Sequence, residues 1–141
     1  MAKRLALTDL IEVDNVDLSN LARSVEFESE DEEVDVSGFN PTGCSEFLQG
    51  TRVRAVSIEF YVSRGSNEVH QVVFPIHDAR GTCDFAWRAD SNVAVGATNE
   101  ELRGSVRIPT YTEGGTRGEA ETMSIRFVEA DADTPLTFHS T

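Results

Sequence analysis

Apolar and polar residues alternate along most of this chain, which is the pattern of β-strands that bury one face. The clearest strand is predicted over 52–62, where every second residue from Val56 to Val62 is apolar. Further strands are predicted over 5–13, 83–88, 105–108, 123–127 and 136–138. The first of these runs directly into Asp14-Asn15, a turn signal, which favours a short strand over a helix.

One segment has helical rather than alternating spacing. The apolar residues over 69–76 are mostly three or four positions apart, so they would share one face of a helix. Ser66 or Asn67 stands in front of them as a candidate N-cap, and Pro75 limits how far the helix continues. We therefore predict one short helix over 67–74.

A highly acidic segment separates two stretches of alternation. Seven of the ten residues over 26–35 are Asp or Glu. Alternating apolar and polar residues precede and follow it, at 23–28 and 34–36. We predict two strands joined by a solvated acidic hinge at 30–33, because adjacent carboxylates are costly to bury. A long excursion between strands follows over 38–50 and begins with an Asn-Pro-Thr-Gly turn signal.

These elements predict a mainly β fold, an antiparallel β-sandwich or barrel with one short α-helix and the long inter-strand loop 38–50. The 141 residues fit a single domain spanning 1–141. We expect no membrane anchor and no secretory signal, because the chain has neither a long apolar run nor a cleavage pattern. Its two cysteines, Cys44 and Cys83, are expected to be buried thiols in a reducing compartment.

Charge is the strongest feature of the composition. Twenty-five Asp and Glu residues oppose twelve Lys and Arg residues, a formal net charge of −13, and eleven of those twelve bases are arginine. Such a chain repels free nucleic acid rather than binding it. Two interpretations stay open: the acidity serves solubility, or it forms a surface that stays near DNA without binding it.

The residues that carry chemistry do not form a recognisable catalytic, metal or cofactor site. His70 and His77 are seven positions apart, a poor spacing for zinc, and His139 lies near the chain end. The acidic run lacks the glycine of a calcium loop. The glycines of segment 112–118 lack the lysine of a phosphate loop and indicate a hairpin tip. We predict that the protein is not an enzyme and has no cofactor.

The order of several short motifs resembles that of tail tube proteins from long-tailed bacteriophages. The motifs are Val-Asp-Asn-Val-Asp-Leu-Ser at 13–19, Arg-Ser-Val at 23–25, Glu-Val-Asp-Val-Ser at 33–37 and Ser-Ile-Glu-Phe-Tyr at 57–61. The helical segment near 69–75 and the strands at 101–109 and 121–127 follow in the expected order. The similarity covers most of the chain, and no single motif in it is diagnostic.

The resemblance implies a structural virion protein. Such subunits form six-fold rings that stack into a hollow tail tube, in which strands from all subunits build a continuous β-barrel around the DNA path. The expected partners are further copies of the chain and other tail proteins, namely the terminator, the tape measure and the distal tail protein, with transient passage of DNA. The expected location is the tail of the virion, after assembly in the cytoplasm of the bacterial host.

The resemblance also implies roles for particular residues. Glu26, Glu28 and Glu59 face away from apolar faces and are predicted to line an acidic lumen past which phosphates move without stalling. The loop 38–50 and the termini are predicted to form contacts between rings. The candidate contact residues are Phe39, Phe47, Leu48 and Arg52.

Two alternatives from other classes remain at this stage. One is a head–tail connector or capsid decoration protein with a related β-sandwich, which would bind a preformed shell. The other is a small cytoplasmic enzyme or binding module, which would need a pocket with convergent polar groups.

Overall fold

The computed structural model describes residues 9–35, 38, 47–130 and 134–141. Its elements are β1 (Leu10–Val13), β2 (Val16–Asp17), a 3-10 turn (Ser19–Leu21), β3 (Ala22–Asp35), β4 (Phe47–Tyr61), α1 (Val69–Asp78), β5 (Thr82–Arg88), β6 (Glu101–Gly114), β7 (Thr122–Glu129) and β8 (Thr137–His139). The predicted mainly β class with one short helix is confirmed for this part of the chain. Every strand pairing in it is antiparallel.

The strands form one sheet in the order β2-β1-β5-β6-β7-β4-β3, and β8 pairs with the first residues of β6. The sheet is open, because β2 and β3 lie at its two ends and do not pair with each other. The sandwich alternative is therefore nearer to the structure than the barrel alternative, which would require a closed ring of strands.

The sheet folds back on itself about β6. β6 pairs with β5 over 101–107 and with β7 over 106–114, with a register shift between Arg107 and Thr110. In a flat sheet, β5 and β7 would lie about 9–10 Å apart, two strand spacings. The rings of Phe85 in β5 and Phe127 in β7 have centroids only 5.1 Å apart. The two halves of the sheet therefore enclose a common core.

The core combines the apolar faces of both halves with two residues of α1. Its largest fully buried side chains are Phe60, Phe85, Phe127, Ile11, Leu18, Ile58, Leu102, Met123, Ile125, Leu136, Val13 and Val56. Nearly all of them lie at alternate positions of a strand, as the sequence pattern predicted for 56–60, 83–87 and 123–127.

The predicted acidic hinge does not exist. Residues 30–33 belong to β3, a continuous strand that pairs with β4 and has a bulge between Asp31 and Glu33. Their carboxylates stay solvated because β3 is the last strand of the sheet, and Asp31 lies opposite Arg52. Backbone pairing is thus compatible with a run of like charges at an exposed edge.

The predicted loop 38–50 is shorter than expected at its end, because residues 47–50 are already part of β4. They pair with β3 at Asp35↔Phe47, Val34↔Leu48 and Glu33↔Gln49. Residues 36–37 and 39–46, which include Phe39 and Cys44, lie outside the described residues.

The predicted helix is present but displaced, over Val69–Asp78 rather than 67–74. Neither proposed cap acts as one: Glu68 occupies the N-cap position without a side-chain hydrogen bond, and Asn67 has a φ of 58°. The helix continues past Pro75, where Ile76 packs against the core and Nδ1 of His77 donates to the carbonyl of Ile108. Tertiary packing here outweighs the local cost of a helical proline.

The end of α1 has the hydrogen bonds of a Schellman motif. Arg80 adopts a left-handed φ of 56°, and its N–H donates to the carbonyl of His77 at 3.1 Å. The N–H of Gly81 donates to the carbonyl of Ile76 at 3.0 Å. These bonds satisfy carbonyls at the helix end and turn the chain directly into β5.

The turn predicted at Asp14-Asn15 is found, whereas the one predicted over 112–118 is displaced. Asp14 and Asn15 both have positive φ, 52° and 63°, and form a two-residue hairpin between β1 and β2 as the sequence indicated. The hairpin tip predicted over 112–118 begins later, because β6 extends to Gly114 and pairs there with Thr122.

Cys83 is a buried free thiol on β5, as predicted. Burial, with smaller contributions from the nearby charges of Asp14 and Asp84, raises the pKa of this thiol to about 12. Little thiolate therefore exists at neutral pH, and the residue acts as a small apolar core side chain.

The C-terminal segment crosses closely over β6. A Cβ at Gly104 would lie 2.8 Å from the carbonyl oxygen of Pro135 and 3.0 Å from the Cα of Leu136. We expect Gly104→Ala to displace this segment and to lower the free energy of unfolding by about 1–3 kcal/mol, the usual cost of overpacking. Urea unfolding and hydrogen exchange at 134–141 measure both effects.

Gly114→Ala is the matched control, because a Cβ at Gly114 meets nothing within 4 Å. It should leave stability unchanged or slightly raised. Equal stabilities of the two variants would show that the close crossing over Gly104 has no energetic weight.

Candidate functional site

Four strands, in the order β6-β7-β4-β3, present one continuous polar surface. Cross-strand neighbours form rows on it: Thr110, Arg126, Ser57 and Glu26 in one row, and Thr112, Ser124, Glu59 and Ser24 in the next. We call this surface the polar face. It arises because the alternate residues of the same strands, among them Ile58, Ile125 and Phe127, fill the core.

The three glutamates predicted to line a lumen all lie on the polar face. Glu26 is opposite Ser57, Glu28 is opposite Ala55, and Glu59 is opposite Ser24. Glu26 and Glu28 are exposed, and Glu59 is partly exposed. The structure thus brings together residues that are about 30 positions apart in sequence, although it does not by itself assign a lumen.

Two arginines that the sequence analysis did not select share this face. Arg126 is exposed between Ser57 and Thr110. Arg23, the extra residue of a bulge in β3, donates to Glu59 at 3.0 Å. Arg107 joins them, because it lies in the row of Glu28 through Val128 and Ala55. Three glutamates against three arginines leave the face with almost no net charge. The alternation of Arg126 with Ile125 and Phe127 puts it on the polar side of β7, but only the strand order shows which surface that side joins.

The four-stranded part of the sheet has two edges without a strand partner among the described residues. β3 is terminal along its whole length, and β6 pairs over 110–114 with β7 alone, since β5 reaches only Arg107. These two edges lie at opposite ends of the polar face.

The direction of the free backbone groups follows from one hydrogen bond. The N–H of Val62 donates to the carbonyl of Glu121 at 3.0 Å, which continues the β4–β7 ladder. Bonded pairs alternate along antiparallel strands. Counting across the sheet, Val25 and Phe27 of β3 and Tyr111 and Glu113 of β6 direct their N–H and C=O groups outward.

Beyond the core, β3 and β4 continue as a two-stranded ribbon. Residues 29–35 and 47–54 pair only with each other, because β7 joins β4 from Ala55 onward. We call this ribbon the arm. Leu48, one predicted contact residue, is 61% exposed opposite Val34, which is 42% exposed.

Of the other predicted contact residues, Arg52 and Phe47 lie in the arm and Phe39 does not belong to the described residues. Arg52 lies in the arm and donates from Nη2 to Asp31 Oδ2 at 3.0 Å; this hydrogen bond holds the pKa of the carboxyl below its usual range. Phe47 begins β4 at the outer end of the arm. Phe39 lies outside the described residues.

An aromatic cluster holds α1 against β6 next to its free edge. The ring of His70 lies 5.3 Å from that of Phe74, and Nδ1 of His70 is 2.9 Å from the hydroxyl of Tyr111. Nδ1 of His77 donates to the carbonyl of Ile108 at 2.6 Å. These contacts give both helix histidines a role in packing.

Among the described residues, no three His, Cys, Asp or Glu side chains are grouped closely enough to hold a metal ion. No helix in the same residues is long and apolar enough to cross a membrane. The features that stand out are instead the polar face, its two edges and the arm.

Comparison with known proteins gives a consistent fold. No protein-family model and no curated protein sequence matches the chain. A chain in the virion of a native gene transfer agent particle matches with a TM-score of 0.72 and 16% identity, over 96% of this chain and 99% of that one. A chain in the tail of an empty gene transfer agent particle, refined helically with C6 symmetry, matches with a TM-score of 0.64 and 18% identity, over 83% and 82%.

The SPP1 tail tube, determined by solid-state NMR and cryo-EM, matches with a TM-score of 0.62 and 12% identity, over 94% of this chain and 78% of that one. The chain has a tail-tube fold. At these identities the likeness is one of backbone fold, and it agrees with the resemblance seen in the sequence motifs.

Proposed function

We propose that this protein is a structural virion protein that forms six-fold rings, which stack into a tail tube for the passage of DNA. The observation that carries the proposal is the four-stranded polar face, which has on each side an edge without a strand partner in the described part of the chain. A sheet with two open edges is exposed to pairing with other chains. A closed ring of subunits satisfies both edges at once, whereas a monomer leaves them open.

Ring closure is compatible with the strand directions. Directions alternate along β6-β7-β4-β3, so β3 runs opposite to β6. In a rotationally symmetric ring, β3 of one subunit would therefore meet β6 of the next in antiparallel orientation, with the outward groups of Val25 and Phe27 near those of Tyr111 and Glu113. Six subunits with four strands each would give a barrel of 6 × 4 = 24 strands, which has no free edge.

The polar face would line the bore in this arrangement, because the opposite face of the same strands is buried in the core. Glu26, Glu28 and Glu59 would repel phosphates, while Arg23 and Arg126 would keep the field weak. With Arg107 in the row of Glu28, three arginines balance three glutamates in each subunit, so the face would give the bore little net charge. Such a surface offers DNA no strong site at which to stall.

The arm would form contacts between rings, together with the termini and the loop at 39–46. Exposed Leu48 and Arg52 lie on it, and Phe47 begins its second strand. Phe39, the remaining candidate contact, lies outside the described residues. The proposed location is the tail of a virion, after assembly in the bacterial cytoplasm. The remaining proposed partners are a terminator, a tape measure and a distal tail protein, and no reaction or cofactor is involved.

Electron microscopy of the purified, concentrated protein tests this function. We expect rings or stacked tubes with a central hole, with analytical ultracentrifugation showing hexamers or larger species as concentration rises. Monomers at every concentration and salt would contradict the proposal. Trimers, or binding only to preformed shells, would instead support the capsid decoration alternative.

A further inference from the structure

A positively charged notch lies at the end of the free edge of β6. It has a volume of about 510 Å³ and is lined by His77, Asp78, Arg80, Gly81, Arg107, Ile108 and Pro109. Arg80 projects from the left-handed turn after α1, and Arg107 precedes the bulge of β6. Both are exposed, and neither has an ion-pair partner among the described side chains. Asp78 is the one acidic residue in the lining.

The arm has the opposite charge. Its first strand contains Glu30, Asp31, Glu32, Glu33 and Asp35, whereas its second strand contributes only Arg52 and Arg54. Arg52 is engaged by Asp31, and Arg54 lies 3.6 Å from Glu129. Glu30 and Glu33 have no partner among the described side chains. The arm therefore carries carboxylates that its own arginines do not neutralise.

The proposed ring brings these two surfaces toward each other. Within one subunit, Glu26 and Thr110 lie in one row of the polar face. We take these rows to continue into the next subunit, which places Glu26 of β3 near Thr110 of the neighbouring β6. From Glu26, β3 then runs along β6 toward Arg107. Glu30 is four residues, or about 14 Å, beyond Glu26, and Arg107 is three residues, or about 10 Å, from Thr110. The first acidic residues of the arm therefore pass the notch.

We propose that the notch binds the acidic arm of the neighbouring subunit through ion pairs from Arg80 and Arg107 to carboxylates of that arm. This inference rests on the proposed ring and names the contact that orients one subunit on the next. The occupant is a second copy of this chain. Guanidinium groups suit the role because each pairs with a carboxylate through two hydrogen bonds.

The contact also reduces the electrostatic repulsion between subunits of the ring. Six copies carry a formal charge of 6 × −13 = −78, so ring formation brings like charges together. Placing unpaired arginines beside the most acidic strand of each neighbour offsets part of that repulsion at the interface. Because like charges at the wrong register repel, the pairing also favours one orientation of the arm.

Charge reversal with exchange of partners tests the contact. One variant carries Arg80→Glu with Arg107→Glu, and the other carries Glu30→Arg with Glu33→Arg. We expect each variant alone to need at least about tenfold more protein than the wild type for ring formation, because like charges then face each other. An equimolar mixture should restore rings, since alternating subunits in a six-membered ring make every contact complementary.

The controls distinguish a failure of the proposed contact from a failure of the proposed ring. Arg117→Glu reverses an exposed arginine in the β6–β7 hairpin and should assemble like the wild type. If the wild type forms rings and both double variants form them equally well, the contact is refuted while the proposed function stands. If the variants fail and their mixture does not recover, the pairing of these two surfaces is refuted. A wild type without rings refutes the proposed function.

Two further double variants, which remove charge instead of reversing it, test the contact if a charge-reversal variant does not fold. Arg80→Gln with Arg107→Gln and Glu30→Gln with Glu33→Gln remove charge and keep a polar side chain, and circular dichroism verifies their fold. Each should also shift ring formation to higher concentration. Unchanged assembly of both folded Gln variants would refute the contact.

Discussion

Replacing Glu113 by proline is expected to abolish ring formation and leave the subunit folded. The N–H of Glu113 points away from β7 at the free edge of β6, so proline removes no bond within the subunit. In the proposed ring the same N–H donates to β3 of the neighbour. Proline removes this donor and places its ring in the contact. Sedimentation velocity and negative-stain microscopy measure the loss.

Glu113→Ala is the matched control for this substitution. Both variants lose the carboxylate that pairs with Arg64, but only proline loses the backbone donor. The alanine variant should form rings, and both variants should keep the circular dichroism spectrum of the wild type. Normal rings from a folded proline variant would mean that the edge of β6 is not a subunit contact.

Phe127→Ala is expected to remove a large part of the stability of the subunit. Phe127 is fully buried and packs against Phe85 where the two halves of the sheet meet. Truncation of such a side chain costs about 3–5 kcal/mol, because it removes apolar burial and leaves a cavity. Since whole domains are stable by only about 5–15 kcal/mol, we expect a much lower urea midpoint and little assembly.

Phe138→Ala provides the comparison within the same protein. Phe138 is 49% exposed and makes one edge-to-face contact with Phe27, with ring centroids 5.5 Å apart. Loss of that contact should cost about 1 kcal/mol. Similar unfolding midpoints for the two variants would contradict the account of a core enclosed by both halves of the sheet.

The strands that bury one face were predictable from the sequence because alternation directly reflects that burial. Val56, Ile58 and Phe60 of β4 and Ile125 and Phe127 of β7 were identified this way and are buried. The helix was found by its spacing, but its ends were not. Its last turn depends on packing of α1 against β6, which local signals do not contain.

The acidic part of β3 was missed for a different reason. Four consecutive carboxylates at 30–33 suggest a solvated hinge when each residue is judged alone. The strand continues there because β4 supplies backbone partners and Arg52, from about twenty positions away in sequence. An exposed edge leaves the remaining carboxylates in water, so the expected penalty for burying charge does not arise.

The candidate interface could be predicted only in part. Alternation placed Glu26, Glu28 and Glu59 on polar faces, and the structure shows that these faces are one surface. The position of Arg126 on that surface and the free edge at 110–114 depend on strand order and register, which a single sequence does not specify. The notch at Arg80 and Arg107 likewise forms only when β5 and β6 pair.

The structure also shows where on the subunit the net negative charge lies. A chain with a net charge of −13 suggests a strongly acidic bore, yet the charges on the polar face nearly cancel. Five of the twenty-five acidic residues lie in the arm, outside the four-stranded face, and the arm has only two arginines. The charge is therefore expected to act more on contacts between subunits than on the DNA path.

Cryo-EM reconstruction of the assembled protein, at a resolution that separates strands, tests the central claim most directly. The account predicts that β3 of each subunit pairs antiparallel with residues 110–114 of the next, and that Glu26, Ser57 and Arg126 face the bore. A reconstruction in which these two edges lie apart, or in which the polar face points to the outside of the tube, would contradict it.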